Sequence, residues 1–278
     1  MTRTLSRAAR KRRSTGATGL GVPSAVGLGI AMIWFSVLAL IPLIAVVVET
    51  SAGGWSQFWS TLTNPQTAAA IRLTVGEAFL VTLVNIFMGT LIAWVLVRDR
   101  FVGKRILEVL IDVPFALPTI VAGLVLLSLY GPNGPAGVDI ANNRWAVFVA
   151  FLFVTLPFVV RTVQPVLAEL DREVEEAARS LGASSFTTFR RVVLPSLVPA
   201  IFAGATLSFA RAVGEYGSLV LLSGNLPFKT EVTSVRILSS IENDNLVAAA
   251  SVASILLVIS LAVIVVLDII QRRLARRG

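Results

Sequence analysis

Two ionisable side chains four residues apart, Arg211 and Glu215, stand in the stretch SFARAVGEYGS between long apolar runs. At i and i+4 they share one face of a helix. A charge at the centre of a membrane helix costs about 2.5–3.5 kcal/mol on insertion scales, so the pair needs a reason to be there. Either the two neutralise each other inside a helical bundle, or Arg211 faces a pathway and attracts an anion, and the spacing leaves both open. Gly214 and Gly217 allow close packing or bending beside them. Arg211, Gly214, Glu215, Tyr216 and Ser218 together form the candidate translocation stretch. Glu77, Asp112 and Asp268 also lie in or at the ends of apolar runs and read as structural or interfacial charges.

The chemistry that is missing narrows the field. The chain has no Cys and no His, which removes disulfides, thiolates and the usual zinc constellations, and no metal site is expected. It has no G-x-x-x-x-G-K-[ST] phosphate loop: the Gly103-Lys104 pair lacks both the upstream glycine and the following hydroxyl. Without paired carboxylates or a nucleophile elbow, the sequence argues against an enzyme and against a cofactor of its own. If such a chain moves solute uphill, energy must enter through a docked ATPase or an ion gradient.

A second stretch, residues 169–195, ELDREVEEAARSLGASSFTTFRRVVLP, is polar yet ordered in pattern. Apolar or small side chains at Leu170, Val174, Ala177, Ala178 and Leu181 line one helical face. Asp171, Arg172, Glu173, Glu175, Glu176 and Arg179 occupy the other. Gly182 is the residue type that most easily ends a helix in the left-handed conformation, and Ser184 can cap a second short helix. Two short amphipathic helices joined at a glycine suggest a docking surface for a soluble partner.

The elements that must hold these stretches are membrane spans. With 55% hydrophobic and 14% charged residues, the chain is far more apolar than a soluble domain, about a quarter of which is charged. Spanning a bilayer takes about 20 apolar residues, and six runs qualify: residues 26–48, 70–97, 106–130, 145–163, 196–223 and 246–270. Pro157 is a candidate bend in the fourth. Pro114 and Pro118 in the third predict a fixed kink that shapes packing, with a hinge or broken helix near the pathway as the alternative. Of the 24 Lys and Arg, 19 fall in the N-terminal arm, residues 98–105, residues 161–191 and the C-terminal tail. The positive-inside rule makes that face cytoplasmic, with both termini on it. The same distribution attributes the net charge of +8 to topology rather than to nucleic-acid binding. The expected organisation is a basic arm (1–25), a first span with outer loop (26–69), a transmembrane domain (70–273) and a basic tail (274–278), with outer loops too short to form a binding domain.

The 169–195 stretch resembles the EAA loop of ABC-importer permeases, E-A-A, three residues, G, nine residues, I-x-L-P. Glu176, Ala177, Ala178, Gly182, Leu194 and Pro195 meet that pattern, with Val192 in the isoleucine position. Residues 112–123 (DVPFALPTIVAG), 208–218 and 224–231 (GNLPFKTE) are similar to one branch, the sulfate/thiosulfate permeases of CysT (CysU) type, and the last is the best discriminator. The resemblance implies an all-α type I ABC importer permease fold with six transmembrane helices. It further implies a homologous second permease of CysW type, two cytoplasmic ATPase subunits holding ATP and Mg, an extracytoplasmic sulfate-binding protein, and sulfate or thiosulfate as cargo. The ATPase would dock on Glu175, Glu176, Ala177, Ala178, Gly182, Ala183, Ser184, Phe186, Leu194 and Pro195, with Glu175 and Glu176 meeting basic groups or helix N-termini on it. Other readings stay open: a molybdate, tungstate or other oxyanion permease, an ion-coupled secondary transporter, or a membrane anchor for a cytoplasmic enzyme.

Overall fold

A computed structural model describes residues 22–275. The basic arm up to residue 21 and the last three residues of the tail lie outside the described residues. Every regular element among the described residues is helical.

The chain divides at Ala45. The first unit holds α1 (Val22–Phe35), a π-helical turn (Ser36–Leu40) and the start of α2 (Ile41–Ala52), whose remainder belongs to the second. Together these form an apolar span over Ser24–Ala52.

The larger unit, from Val46 onward, holds the bundle. A short helix, α3 (Gly54–Thr63), precedes the long α4 (Pro65–Arg98). Asn64 starts α4 by accepting from the backbone N–H groups of Gln66 (3.0 Å) and Thr67 (3.2 Å), and Pro65 supplies a preset first turn. Gly103, at φ +91°, turns the chain into α5 (Lys104–Ala116), which is followed by α6 (Thr119–Tyr130). Next come α7 (Arg144–Glu169), α8 (Arg172–Ser180), α9 (Ser185–Thr188), a π-helical turn (Phe189–Val193) and α10 (Leu194–Val213). The chain closes with α11 (Gly217–Leu222), α12 (Thr233–Glu242) and α13 (Leu246–Ala275).

The core is the three-helix contact of α4, α7 and α10. Backbones approach closely because glycines stand at the crossings: a Cβ on Gly89 would lie 2.8 Å from Val159 Cβ, and one on Gly204 would lie 2.8 Å from Val159 Cα. Asn85, fully buried in α4, ties the three together by donating from Nδ2 to Thr155 Oγ1 (2.8 Å) and Ser208 Oγ (3.0 Å). The spans of α4, α7 and α10 bury 33%, 56% and 44% of their most apolar stretches, whereas that of α13 buries only 6%. Its remaining surface suits contact with lipid or another apolar chain.

Among the described residues five helices are long and apolar enough to cross a membrane, or six spans if the bent pair α5–α6 counts as one. The expected kink in the third span is in fact a break: the helix stops at Ala116, Leu117 and Pro118 are extended, and α6 departs at 120°. The expected fifth span also stops short. Its helix ends at Val213 with Gly214 as C-cap, and residues 217–222 form a separate helix. By contrast the fourth span runs on to Glu169 as one helix through both Pro157 and Pro165. Two of the loops expected on the outer side carry helices, α3 and α12. Trp55 and Trp59 on α3 are stacked, with centroids 6.2 Å apart, and exposed, as in the aromatic belts at membrane surfaces.

Candidate functional site

The bundle presents one candidate site at each end. At the first, α8 is capped by Asp171, whose side chain accepts from Glu173 N–H (2.9 Å), with Glu173 and Glu175 in the first turn and Arg179 in the last. That charge order suits the helix dipole. The helix ends in a full Schellman motif: Ala183 N–H donates to Ala178 C=O (3.1 Å), Gly182 N–H donates to Arg179 C=O (2.9 Å), and Gly182 sits at φ +86°. Ser184 then caps α9, accepting from Thr187 N–H (3.3 Å). Both turn residues act as their types predict.

The faces of α8 differ from the amphipathic expectation. Val174 and Ala177 are exposed, as are Leu181 and Phe186 beyond the helix, the last two at 88% and 71%. Glu176 also faces outward, while Ala178 and Ala183 are half-buried. Glu175 is the residue that turns inward: its side chain is 9% exposed and pairs with Arg98 at the end of α4, with Arg179 Nη2 at 3.8 Å on its other oxygen. The cause is Arg98, 77 residues away in sequence, whose charge draws the carboxylate beneath the helix. Glu175 therefore has an intramolecular partner, and Glu176 is the carboxylate left at the surface. Leu194 is half-buried and Pro195 exposed at the start of α10, continuous with the hairpin.

At the opposite end of the bundle, the two broken helices meet. A Cβ on Gly123 of α6 would lie 2.5 Å from Ser218 C=O, and one on Gly217 would collide with Thr119 Oγ1 and lie 3.0 Å from Ile120 N, so α11 is held directly against α6. Glu215 lies in the break between α10 and α11 and is 1% exposed. Its Oε2 pairs with Arg211 Nη1 at 2.5 Å, and its Oε1 accepts from Ser218 N–H (2.9 Å) and Ser218 Oγ–H (2.8 Å). Ser234 Oγ–H on α12 donates to Glu215 C=O (2.7 Å). Arg211 keeps 31% of its side chain exposed, and Tyr216 borders a cleft with Ser234, Ile237, Leu238 and Ile241 of α12. Thus Arg211, Glu215 and Ser218 form one cluster, Gly214 ends the helix that carries Arg211, and Tyr216 sits at its rim.

Residues 224–231 wrap this end. Leu226 C=O accepts three backbone N–H groups, from Lys229, Thr230 and Glu231 at 2.9–3.1 Å, and Asn225 and Phe228 adopt positive φ. Glu231 accepts from Gln66 Nε2 (2.7 Å), and Thr233 N–H donates to Thr74 Oγ1 (2.8 Å). Of the charges read as structural, Asp112 accepts from Arg161 Nε at 2.8 Å and Asp268 from Arg272 Nε at 2.8 Å. One Glu77 oxygen is buried without a partner. The sequence assigned no individual role to Arg98, Asn85, Ser234 or Gly123. Asn85 carried a signal, as a carboxamide inside an apolar run, and Gly123 closes the 112–123 stretch.

Residues 85–277 match the family described as binding-protein-dependent transport system inner membrane component. The sulfate transport system permease protein CysT of Salmonella typhimurium is 44% identical over 91% of this chain and 94% of that protein. Its counterparts in Escherichia coli (91% of this chain, 94% of that protein) and Synechocystis (87% of each) are 42% and 44% identical. Among solved structures, the backbone is similar to a chain of a bacterial alginate ABC transporter at a TM-score of 0.74 with 17% identity, over 90% of this chain and 94% of that one. A chain of an amino acid ABC transporter matches at 0.56 with 20% identity, over 78% of this chain and 98% of that one. The fold, the matched family and these relatives agree, and the chain belongs to the inner membrane components of binding-protein-dependent transport systems, the permeases of ABC importers, with relatives of CysT type.

Proposed function

We propose that the chain is the transmembrane subunit of an ATP-driven sulfate or thiosulfate importer, forming half of the pathway. The observation that carries the cargo is the 44% identity to a CysT sulfate permease along nearly the whole chain. It would act with a homologous permease of CysW type, two ATPase subunits that bind ATP and Mg, and an extracytoplasmic sulfate-binding protein. The surplus of Lys and Arg in residues 98–105 and 161–191 supports a cytoplasmic hairpin, and the basic arm and tail support cytoplasmic termini.

On this reading the outward apolar surface of Val174, Ala177, Leu181 and Phe186, with Glu176 beside it, seats in the ATPase. Closing of the ATPase dimer on ATP moves the hairpin, the pathway opens toward the loaded binding protein, and hydrolysis resets it. Arg211, partly exposed at the far end, is the group that would meet the anion. Cells lacking only this chain should lose labelled sulfate uptake and regain it on complementation, with thiosulfate but not molybdate competing. Undiminished sulfate uptake, or competition by molybdate, would overturn the assignment.

The docking part has its own test. A Cβ at Gly182 meets nothing within 4 Å, so Gly182→Val fits in space, and its cost is the left-handed φ of +86°. That is about 1–2 kcal/mol, more for a β-branched residue, concentrated on the hairpin. Membrane insertion should be unchanged while substrate-stimulated ATP hydrolysis by the reconstituted complex falls. Normal stimulation would refute docking through this turn.

A further inference from the structure

The buried pair of Arg98 and Glu175 is not used by the docking surface, and its position is unusual. Arg98 is the last residue of α4, and its side chain is 10% exposed. While its guanidinium engages Glu175 on α8, it also lies 5.9 Å from the ring of Trp94, one turn back. Trp94 in turn meets Phe189 edge-on, with centroids 5.5 Å apart, at the turn that leads from α9 into α10. The last turn of α4 therefore grips both legs of the hairpin.

At the other end of the same helix a second set of buried contacts appears. Thr74 accepts from Thr233 N–H (2.8 Å), both threonines being at most 1% exposed. Gln66 bonds Glu231 (2.7 Å). The next residue after Thr233 is Ser234, whose hydroxyl holds the Glu215 carbonyl. α4 is one uninterrupted helix of 34 residues, about 50 Å long. A hydrogen-bonded helix resists compression, so a displacement imposed at Arg98 appears at Thr74.

We infer that Arg98 is a positioning residue that couples the hairpin to α4, and that α4 carries hairpin movement through Thr74 and Thr233 to the Arg211–Glu215–Ser218 cluster. The hairpin then has two outputs: α10, with which it is continuous, and α4, to which Arg98 fastens it. Buried polar contacts suit this role because shearing them leaves uncompensated groups, so the joined elements move together. The inference rests on the proposed docking of an ATPase at the hairpin.

The test uses the complete complex, purified through a tag on this chain and reconstituted in liposomes with the binding protein, reading sulfate uptake per ATP hydrolysed. Arg98→Gln should leave the ATPase co-purifying and lower uptake per ATP at least about fivefold, the low end of measured couplings between sites. Arg98→Lys, which keeps the charge, should recover most of it. Thr74→Val, 24 residues away, should give the same uncoupling. The double variant should be no worse than either single, because both break one path. Wild-type coupling in Arg98→Gln or Thr74→Val overturns the inference, as does a double variant whose losses multiply. Loss of ATPase co-purification in Arg98→Gln alone also overturns it, since the pair would then serve docking. If the unaltered chain brings down no ATPase, the docking reading fails first and this inference with it.

Discussion

Gly123→Val should abolish sulfate uptake while leaving the chain inserted in the membrane. The three atoms nearest a Cβ at this position are Ser218 O, Cα and C, at 2.5, 2.9 and 3.0 Å, all of them backbone. No side chain can rotate away, so α11 must retreat from α6. Overpacking of this kind costs about 1–3 kcal/mol. The larger effect is on geometry, because Ser218 supplies both hydrogen bonds to Glu215 Oε1 and its movement takes them away. Bonds to a charged group are each worth about 1.5–3 kcal/mol, and Glu215, at 1% exposed, is shielded from bulk solvent. Gly123 is not itself part of the α4, α7 and α10 contact, although Leu219 and Leu222 of α11 pack into the same core cluster. The amount of variant in the membrane is therefore measured beside its uptake and should stay near wild type. Gly76→Ala is the matched control: it lies in α4, and a Cβ there meets nothing within 4 Å. Its uptake should equal wild type. Uptake by Gly123→Val within about twofold of wild type, a difference under about 0.5 kcal/mol, would show that the α6–α11 contact does not position the site.

This contact also explains what could be read in the sequence and what could not. The spans were legible because membrane length and apolarity are local properties, and so were the turn at Gly182 and the cap at Ser184, which depend only on neighbours along the chain. Whether Pro114 and Pro118 kink a span or break it is not local. The answer lies in what fills the bend, and here α11 does so across Gly123 and Gly217. The fifth span ended early for the same reason, since Gly214 and Gly217 free the chain to turn and lay α11 on α6. Glu175 failed differently. Helical periodicity placed it on the outer, polar face, but periodicity cannot see Arg98, brought beneath α8 by the fold. The apolar stripe of the hairpin consequently faces outward, as a surface that seats in a partner should.

An equally severe loss should follow Arg211→Ala, which removes the charge opposite Glu215. Breaking a buried pair by deleting one partner costs about 3–5 kcal/mol. The one-third exposure of Arg211 puts the cost near the lower end of that range. Lost uptake in this variant alone would not separate the two roles open to Arg211, because an unpaired Glu215 disturbs the site even if no anion ever touches the guanidinium. The double variant Arg211→Gln with Glu215→Gln makes the separation. Two amides can hydrogen-bond each other and Ser218 without leaving a buried charge, so assembly, thermal stability and basal ATP hydrolysis should return toward wild type. If Arg211 meets the anion, sulfate uptake by this double variant stays low while the complex is intact, because the positive charge is gone. If the pair only neutralises itself, uptake returns together with stability. The first outcome is expected, since Glu215 is enclosed whereas part of Arg211 remains open at the end of the bundle. A stable double variant that imports sulfate at the wild-type rate would reduce Arg211 to a structural counter-ion.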